Sequence, residues 1–423
     1  MSRPRVTLQF LACFCVVGCG GARDVSSPAV APPPGTASIA PPAPAPVASA
    51  DAALARHRAA IVIDTHNDVT QRLVVEGADL SQRLPDGQTD LPRLREGGVD
   101  AEFLSVFVVP QLYPKEQAYA QARAEFDAID ALVAKNAAST VLARTAADVR
   151  KAAAEGKTAF LIGVEGGHAL GDAPDAELLA RLREFYARGA RYMTLTWTNS
   201  NRIGGSSGDE GKTTGLTPFG KTVVAAMNDL GMMVDVSHVS DPTFYDVIAT
   251  TKRPVIASHS SARALSNHPR NMTDDMLRAV AKNGGAVCVN FGPQFLDAGF
   301  SAAEDAEQAK SADRMKAILT SAPDPKAAQA GMWQLFHELS QHLPPVPASL
   351  VIDHIEHIAR VAGIEHVCLG SDYDGIAVAP QGLDDVSKMP YITQALLARG
   401  FSPDDVRRVL GENVLRVLAA NEH

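Results

Sequence analysis

The sequence predicts a (β/α)8 barrel from residue 55 onward, and three observations lead to this fold class. Short apolar runs of strand length alternate with amphipathic stretches of helical periodicity. Eight such runs occur within about 370 residues, as in a single closed barrel of parallel strands. Polar residues able to bind metal follow several of the runs, where barrel enzymes carry their chemistry. A doubly wound open sheet is the alternative architecture.

Eight apolar runs are predicted to form the barrel strands, and they lie at 60–64, 101–108, 159–164, 190–195, 232–236, 255–258, 286–290 and 366–370. Helical patterns separate most of them, as at 118–136, 176–188, 221–230 and 273–282. The segment at about 297–349 departs from this rhythm, since it is too long for a simple connection. We therefore predict that it forms inserted helices over one end of the barrel.

The amino terminus predicts export. Two arginines precede the apolar run 8–17, which has the length of a signal segment and is too short to cross a membrane as a helix. Residues 16–19 resemble the cleavage site of bacterial lipoproteins, so we interpret 1–18 as a lipoprotein signal peptide and Cys19 as the lipid anchor. An ordinary signal peptide is the alternative. A glycine rather than an aspartate follows Cys19, which favours the outer membrane of a bacterial envelope over inner-membrane retention.

Residues 19–54 are interpreted as a disordered tether. Alanine, proline, serine and valine dominate 26–50, which has no charged residue, and such a segment can neither bury a core nor fold compactly. The domain at 55–423 has ordinary globular composition, and the formal net charge of the chain is -9, which argues against nucleic-acid binding. Cys288 and Cys368 each lie in an apolar run, which favours two buried free thiols over the alternative of a disulfide.

Candidate metal ligands follow the predicted strands. His66 and Asp68 come after the first run, and side chains two apart in a strand share a face. The other candidates, which follow later runs, are Glu165, His238, His259 and Asp372. Each alone has a structural explanation, such as a helix cap, a satisfied core histidine or a turn. Together they gather at one barrel end and supply the His, Asp, Glu, His, His set that suits two zinc ions.

These motifs resemble the membrane dipeptidase family, also called renal dipeptidase or peptidase family M19, from about residue 59 to 418. Four further segments contribute to the resemblance, and they are Gly-Leu-Thr-Pro-Phe-Gly at 215–220, Ser-His-Ser-Ser-Ala-Arg at 258–263, His-Pro-Arg-Asn at 268–271 and Gly-Glu-Asn-Val-Leu-Arg at 411–416. The motifs occur in the family's order and cover nearly the whole globular region. The resemblance implies a metal-dependent hydrolase of dipeptides on a barrel fold.

The resemblance also implies roles for single residues. Two zinc ions would be held in each chain, one by His66 and Asp68, one by His238 and His259, and both by Glu165. A hydroxide shared by the two ions would attack the peptide carbonyl, with Asp372 as general base and then general acid. Arg270 would hold the terminal carboxylate of the substrate through two parallel hydrogen bonds, with a surface salt bridge as its alternative explanation.

Two positions depart from the best-known mammalian pattern. Trp197 stands where those enzymes have a histidine near the scissile carbonyl, and its indole N–H can still donate a hydrogen bond to substrate. Phe295 stands where a family tyrosine helps to hold the carboxylate, so weaker carboxylate binding is expected. His168, three residues after Glu165, is interpreted as a helix-start residue rather than as a supporting group of the site.

The sequence therefore predicts an exported, lipid-anchored zinc dipeptidase that hydrolyses L-Xaa dipeptides and tolerates a D-residue in the second position, as the family does. A homodimer is expected from the resemblance alone. One alternative is a two-metal amidohydrolase that acts on a different amide, lactam or ester. The other is a surface binding lipoprotein without activity, which has no evident need for a complete ligand set and for Asp372.

Overall fold

The structure, a computed structural model, describes residues 49–209 and 214–423. The strands found in these two ranges are β1 (Ile63–Asn67), β2 (Ala101–Phe107), β3 (Thr140–Leu142), β4 (Thr158–Glu165), β5 (Ala190–Thr194), β6 (Met233–Asp235), β7 (Ile256–Ala257), β8 (Ala286–Val289) and β9 (Val367–Leu369). Eight of these nine pair in parallel in the order β1-β2-β4-β5-β6-β7-β8-β9, and β3 pairs with β4.

Hydrogen bonds between the first and last strands nearly close this sheet into a barrel. The N–H of Asp68, just beyond β1, donates to the carbonyl of Tyr373 over 2.8 Å, and the N–H of Asp372 donates to the carbonyl of His66 over 3.0 Å. Strands that follow one another around a closed parallel sheet define a (β/α)8 barrel. The predicted fold class is confirmed, and the doubly wound sheet is excluded.

Helices connect the strands and surround the barrel. Those up to β8 are α1 (Ala50–Ala59), α2 (Leu91–Gly97), α3 (Glu116–Lys135), α4 (Ala146–Ala154), α5 (Asp175–Arg188), α6 (Pro218–Leu230), α7 (Asp241–Thr250) and α8 (Asp274–Asn283). Those after β8 are α9 (Pro293–Leu296), α10 (Ala298–Lys310), α11 (Ala312–Ser321), α12 (Pro325–Ser340), α13 (Ser349–Ala362), α14 (Pro390–Ala398), α15 (Pro403–Arg407) and α16 (Asn413–Asn421). The four helices predicted at 118–136, 176–188, 221–230 and 273–282 correspond to α3, α5, α6 and α8.

Local sequence explains where a barrel helix begins and ends, and α6 is an example. Thr217 accepts a hydrogen bond from the N–H of Gly220, and Pro218 occupies the first turn, where its missing N–H costs nothing. Gly231 ends the helix with φ of 80°, a left-handed conformation that favours glycine. The predicted start at Lys221 was late because the Thr-Pro signal precedes the periodic apolar positions.

Two strand predictions need correction. The first predicted strand, 60–64, starts and ends too early, since β1 runs from Ile63 to Asn67 and therefore contains His66. Ala60 instead caps the end of α1, where its N–H binds the carbonyl of His57. β3 was not predicted, because its three residues are too few to form a recognisable apolar run.

Side chains fill the barrel interior below the site. The interior cluster includes Phe103, Leu161 and Tyr192, which are fully buried, and Leu415 and Leu418 of α16 pack against it. Gly163 of β4 faces the Tyr192 ring so closely that a Cβ at this position would lie 2.0 Å from its Cζ atom. The barrel is therefore a packed core rather than a pore, and glycine at 163 leaves the room that the Tyr192 ring occupies.

Cys288 and Cys368 form a disulfide, so the expectation of two free thiols is wrong. The two residues pair directly in the register of β8 and β9, with Cα atoms 4.1 Å apart. Directly opposed side chains on neighbouring parallel strands point to the same face, which here is the barrel interior. The apolar runs revealed burial of both thiols but not the strand register that brings them together.

The long segment between β8 and β9 supplies a covering layer. We call α10, α11 and α12 the lid, because they line the cavity at the carboxyl end of the barrel. Gln329 of α12 donates a 2.8 Å hydrogen bond to the side chain of Gln71, and both residues are buried. Gln71 in turn donates to the carbonyl of Phe107, at the end of β2. The lid is thus connected through Gln71 to the carboxyl end of β2.

At the amino terminus, the predicted signal segment, Cys19 and the part of the tether before residue 49 lie outside the described residues. α1 begins at Ala50, within the range predicted as tether, and it packs against α14. His57 of α1 is buried, with hydrogen bonds to Thr393 and to the carbonyl of Gly97. In the described ranges, none of the helices has both the length and the apolar character needed to cross a membrane.

Candidate active site

The six predicted site residues that follow strands converge at the carboxyl end of the barrel. His66 is in β1 and Glu165 is the last residue of β4, so strand geometry fixes both. His238 and Asp372 lie in loops and have positive φ angles of 66° and 65°. Non-glycine residues rarely adopt this left-handed backbone conformation, and such residues cluster at functional sites. All six side chains are buried or nearly so.

One half of the site surrounds His66. Its Nε2 atom lies 3.8 Å from Oδ2 of Asp68, 3.7 Å from Oε2 of Glu165 and 3.9 Å from Oδ1 of Asp372. Three carboxylates therefore share the space in front of one imidazole nitrogen. Gly375 provides this space, since a Cβ there would lie 2.2 Å from Asp68 and 2.6 Å from Asp372.

The other half of the site uses the second oxygen of Glu165. Oε1 lies 2.8 Å from Nε2 of His238 and 3.5 Å from Nε2 of His259, and the two imidazole nitrogens are 2.9 Å apart. The Glu165 carboxylate thus directs one oxygen to each half. A carboxylate placed in this way can bridge two cations, which is the role predicted for Glu165.

Hydrogen bonds on the outer side of two imidazoles leave their inner nitrogens able to bind a cation. The Tyr192 hydroxyl donates to the carbonyl of Thr65 and lies 2.8 Å from Nδ1 of His66, so it accepts the proton of Nδ1. Nε2 of His66 is then the nitrogen that faces the carboxylates; burial opposes its protonation, but Tyr192 and Glu165 raise the pKa of His66 well above its ordinary value, so a bound cation would displace a proton from Nε2. Such bonds fix the tautomer of metal-binding histidines.

His259 is held in the same way from the opposite side. Its Nδ1 lies 2.7 Å from the Ser258 hydroxyl, which itself donates to Asp235 over 2.6 Å. Ser258 therefore accepts the Nδ1 proton, and the lone pair of Nε2 faces Glu165. Burial lowers the pKa of His259 well below its ordinary value, which keeps this imidazole neutral.

The donor set fits divalent cations. Nε2 of His66 and Oδ1 of Asp68 are buried, and neither has a hydrogen-bond partner among the described residues. Two groups of three donors lie within 4.8 Å of one another, namely His66 with Glu165 and His259, and His66 with Asp68 and Asp372. Imidazole nitrogen and carboxylate oxygen are ligands that zinc accepts. The arrangement therefore suits a cation better than it suits a self-sufficient polar core.

The charges in the site support this conclusion. Burial, reinforced by the neighbouring Asp68, raises the pKa of Glu165 to about 7. Burial also raises the pKa of Asp372 to about 6, again with Asp68 contributing. Desolvated carboxylates that repel one another are costly when ionised, and a divalent cation removes that cost.

Arg270 lies beside the imidazoles and is 9% exposed. Its guanidinium donates to the carbonyl of His259 over 3.2 Å and to the Ser260 hydroxyl over 3.4 Å, and no salt bridge forms within the described residues. Its Nε atom is buried and lacks a partner among them. The guanidinium therefore retains donors that are free for an anion, which excludes the surface salt bridge as its role.

A cavity of about 1340 Å³ opens above the site and contains the predicted substrate contacts. Trp197 lines it and packs against Phe107 with ring centroids 4.8 Å apart. Phe295 also lines it, with the Arg270 guanidinium 5.3 Å from its ring. The lid supplies the outer wall, which includes Glu304 and Trp333. A cavity of this size has room for a small peptide.

His168 binds a backbone carbonyl, and within the described residues it has no hydrogen bond to a predicted metal ligand. It begins a short helical turn at Gly167–Leu170, and its Nε2 lies 2.7 Å from the carbonyl of Val108. Burial lowers the pKa of His168, so the ring is neutral and donates to that carbonyl. The interpretation as a helix-start residue is confirmed.

Sequence reasoning missed three residues that support the site. Tyr192 lies within β5, and nothing in an apolar strand marks a hydroxyl that reaches across the barrel to His66. Asp235 accepts hydrogen bonds from Ser258 and lies at the end of β6. Asn290 follows β8 and donates to Asp372 over 2.9 Å. Asp235 and Asn290 would have been found if every polar residue at the end of a predicted strand had been considered, and not only the candidate metal ligands.

Comparison with known proteins shows the family to which the chain belongs. The sequence profile described as membrane dipeptidase, peptidase family M19, matches residues 51–423. The chain belongs to this family. The match covers every predicted ligand, together with Arg270 and Asp372. The chain is accordingly a metallopeptidase, a hydrolase that acts on dipeptides.

Individual members of the membrane dipeptidase family agree with this assignment. A dipeptidase named aclJ from Aspergillus oryzae is 36% identical over 345 residues, which are 80% of this chain and 71% of that protein. The crystal structure of the probable dipeptidase PvdM from Pseudomonas aeruginosa superposes with a TM-score of 0.75, at 25% identity, over 88% of this chain and 98% of that one.

A structure with a bound ligand is also similar. It is a metallopeptidase from Rhodobacter sphaeroides liganded with a phosphinate mimic of the dipeptide L-Ala-D-Ala. Its TM-score is 0.69 at 27% identity, and the match covers 86% of this chain and all of that one.

Proposed function

We propose that this dipeptidase works with two zinc ions and hydrolyses L-Xaa-L-Xaa and L-Xaa-D-Xaa dipeptides. The observation that carries the proposal is the position of the Glu165 carboxylate, with one oxygen 3.7 Å from His66 and the other 2.8 Å from His238. A single carboxylate that faces two groups of donors is the arrangement expected for a bridge between two cations.

Five side chains would hold the zinc ions, and they are His66, Asp68, Glu165, His238 and His259. Zinc, when bound, would lower the pKa of a coordinated water and polarise the peptide carbonyl. The protein contributes imidazoles whose outer nitrogens are held by Tyr192 and Ser258, and carboxylates whose mutual repulsion favours cation binding. The support for two ions is this donor set together with family membership.

Asp372 is the proton carrier in this proposal. Its carboxylate faces the ligand cluster, with Oδ1 3.9 Å from Nε2 of His66, and it lines the cavity. It would accept a proton from the attacking water and return it to the amine that leaves when the peptide bond breaks. Burial raises the pKa of Asp372 toward neutrality, which suits a group that must both take and release a proton.

Arg270 limits the substrates by binding a free carboxylate. Its unpaired donors lie in the same cavity as Asp372, so a peptide placed against the cluster could present its carboxyl terminus to the guanidinium. A longer peptide would lose this contact. Tolerance of a D-residue at the second position is supported by the Rhodobacter sphaeroides relative and its L-Ala-D-Ala mimic.

The test combines metal content with turnover. The purified chain should bind two zinc ions and hydrolyse an L-L or L-D dipeptide. Glu165→Ala should lose zinc and activity, whereas Asp372→Asn should keep zinc without turnover. Glu338→Ala, on the exposed side of the lid, is the control and should change neither.

Other outcomes would discriminate among the alternatives. Two zinc ions without dipeptide turnover would indicate a different amide, lactam or ester substrate. No bound metal after zinc reconstitution would refute the proposed mechanism altogether.

We also propose that the chain is an exported lipoprotein of a bacterial envelope, attached to the outer membrane through Cys19, and that it forms a homodimer. The signal pattern at 1–18 and the following tether support the first proposal, and the family resemblance supports the second. Mass spectrometry should find a lipid on Cys19, and Cys19→Ala should release the protein from the membrane fraction. Light scattering should give twice the mass of the chain.

A further inference from the structure

Asn290 follows the last residue of β8, and its side chain reaches the carboxylate of Asp372. Nδ2 of Asn290 donates to Oδ2 of Asp372 over 2.9 Å. Oδ1 of Asn290 accepts a hydrogen bond from the backbone N–H of Gly292 over 2.5 Å. The second contact fixes the orientation of the amide, because a backbone N–H requires an oxygen as its partner and leaves the NH2 group for Asp372.

The two oxygens of Asp372 therefore have different surroundings. Oδ2 is engaged by the Asn290 amide, whereas Oδ1 faces the ligand cluster, 3.9 Å from Nε2 of His66. Within residues 49–209 and 214–423, Asn290 is the hydrogen-bond donor to this carboxylate. Asn290 is 1% exposed, so water does not compete for the contact.

We propose that Asn290 is a positioning residue that makes Asp372 carry the proton on a single oxygen. The inference rests on the proposed function. The attacking water forms a bond to the carbonyl carbon and gives a proton to Oδ1. When the carbon–nitrogen bond breaks, the same proton moves from Oδ1 to the nitrogen of the leaving amine, and Asp372 is again a carboxylate.

The geometry explains why Asp372 takes up the proton on Oδ1 and not on Oδ2. An N–H group at Oδ2 opposes protonation there, since the amide nitrogen cannot accept the added proton. Without Asn290, the carboxyl group could rotate about its Cβ–Cγ bond and hold the proton on either oxygen. Turnover would then fall, while zinc and the substrate would still bind.

Kinetics of the zinc-loaded full chain test the proposal. Asn290→Leu should lower kcat about 30-fold, less than the 10²–10⁴ that general acid–base catalysis contributes as a whole because Asp372 itself remains, with KM and zinc content changed less than about twofold. Asn413→Leu is the matched control, because Asn413 is 3% exposed and its amide also donates hydrogen bonds, a buried one to the carbonyl of Val367 and a partly buried one to that of Ile364. It should lower Tm and leave kcat unchanged.

Two further measurements separate positioning from a general structural role. A phosphinate dipeptide mimic is tetrahedral at phosphorus and so resembles the attacked carbonyl rather than the substrate. Its affinity should therefore fall in Asn290→Leu and in Asp372→Asn even though KM changes little, and the double variant should bind it no more weakly than Asp372→Asn. A crystal structure of Asn290→Leu should show the Asp372 carboxyl group rotated and the five metal ligands in place.

An unchanged kcat, additive losses of affinity, or an unrotated Asp372 would each overturn the proposal. A wild-type protein that hydrolyses no dipeptide would instead refute the proposed function. In that case the crystal structure would still decide whether Asn290 orients Asp372.

Discussion

Replacing Arg270 with methionine tests whether the enzyme selects substrates by their free carboxylate. Methionine keeps an unbranched side chain of similar length and removes every hydrogen-bond donor. Burial lowers the pKa of Arg270 to about 10, so the wild-type guanidinium remains charged at neutral pH. The substitution thus removes one buried positive charge from the cavity.

The size of the effect follows from the contacts of Arg270. Of the five N–H donors, one is used on the carbonyl of His259 and one on the Ser260 hydroxyl, and Nε has no partner in the described ranges. The remaining donors allow two parallel bonds to a carboxylate, each worth about 1.5–3 kcal/mol. Their loss corresponds to a fall in kcat/KM of about 10²- to 10⁴-fold, at 1.36 kcal/mol for each factor of ten.

The assay compares a dipeptide with its C-terminal amide. The wild type should hydrolyse the free acid with a kcat/KM about 10²- to 10⁴-fold higher than that for the amide, and Arg270→Met should hydrolyse the acid and the amide at the same low rate. Arg263→Met is the matched control, because Arg263 lines the same cavity but is already paired with both oxygens of Asp241. It should keep the preference for the acid. An equal fall for acid and amide in Arg270→Met would refute carboxylate recognition by this residue.

Three further predictions concern other parts of the structure. Glu102 is fully buried beside Asp64, and its oxygens lack partners among the described residues. Burial raises the pKa of Glu102 well above the ordinary value, so the residue is protonated in the folded chain. The unfolded chain ionises it above about pH 4.3, and the free energy of unfolding therefore falls as the pH rises beyond that value. Glu102→Gln should therefore raise Tm at pH 8 and give little gain at pH 4; calorimetry showing no gain at pH 8 would contradict this. Trp197→Phe removes the indole N–H but keeps the ring, and steady-state kinetics should show kcat/KM about fivefold to tenfold lower, the value of one neutral hydrogen bond; an unchanged value would mean that the N–H does not contact the substrate. Gln329→Leu leaves the buried Gln71 oxygen without its donor, so hydrogen–deuterium exchange should increase in residues 298–340 and stay constant in the barrel strands.

The metal ligands could be predicted from sequence because each lies in or just after a barrel strand. His66, Glu165 and His259 are close in space only because parallel strands end at the same rim, and that rule needs no coordinates. The tautomers of these histidines could not be predicted in the same way. The tautomer of His66 depends on Tyr192, whose hydroxyl crosses the barrel interior through space left by Gly163, and that of His259 depends on Ser258.

Features that depend on pairing between strands could not be predicted from one sequence. The Cys288–Cys368 disulfide requires the register of β8 and β9, which sequence patterns do not reveal. The start of β1 was misplaced because Ala60 and Ile61 are apolar but belong to the end of α1 and the connection after it. Asn290 was overlooked because an amide is not a metal ligand, although it follows a strand as the ligands do.

The covering helices at 298–340 form one uninterrupted stretch of chain, while the metal ligands come from β1, β4 and the loops after β6 and β7. The outer wall of the cavity is therefore encoded separately from the metal ligands, while Trp197 and Phe295 line the cavity from other segments. This stretch could be exchanged between relatives as a cassette, altering which side chains are accepted without touching His66, Glu165 or His238. Recombination of this one segment would change the outer wall of the cavity and leave the metal ligands as they are.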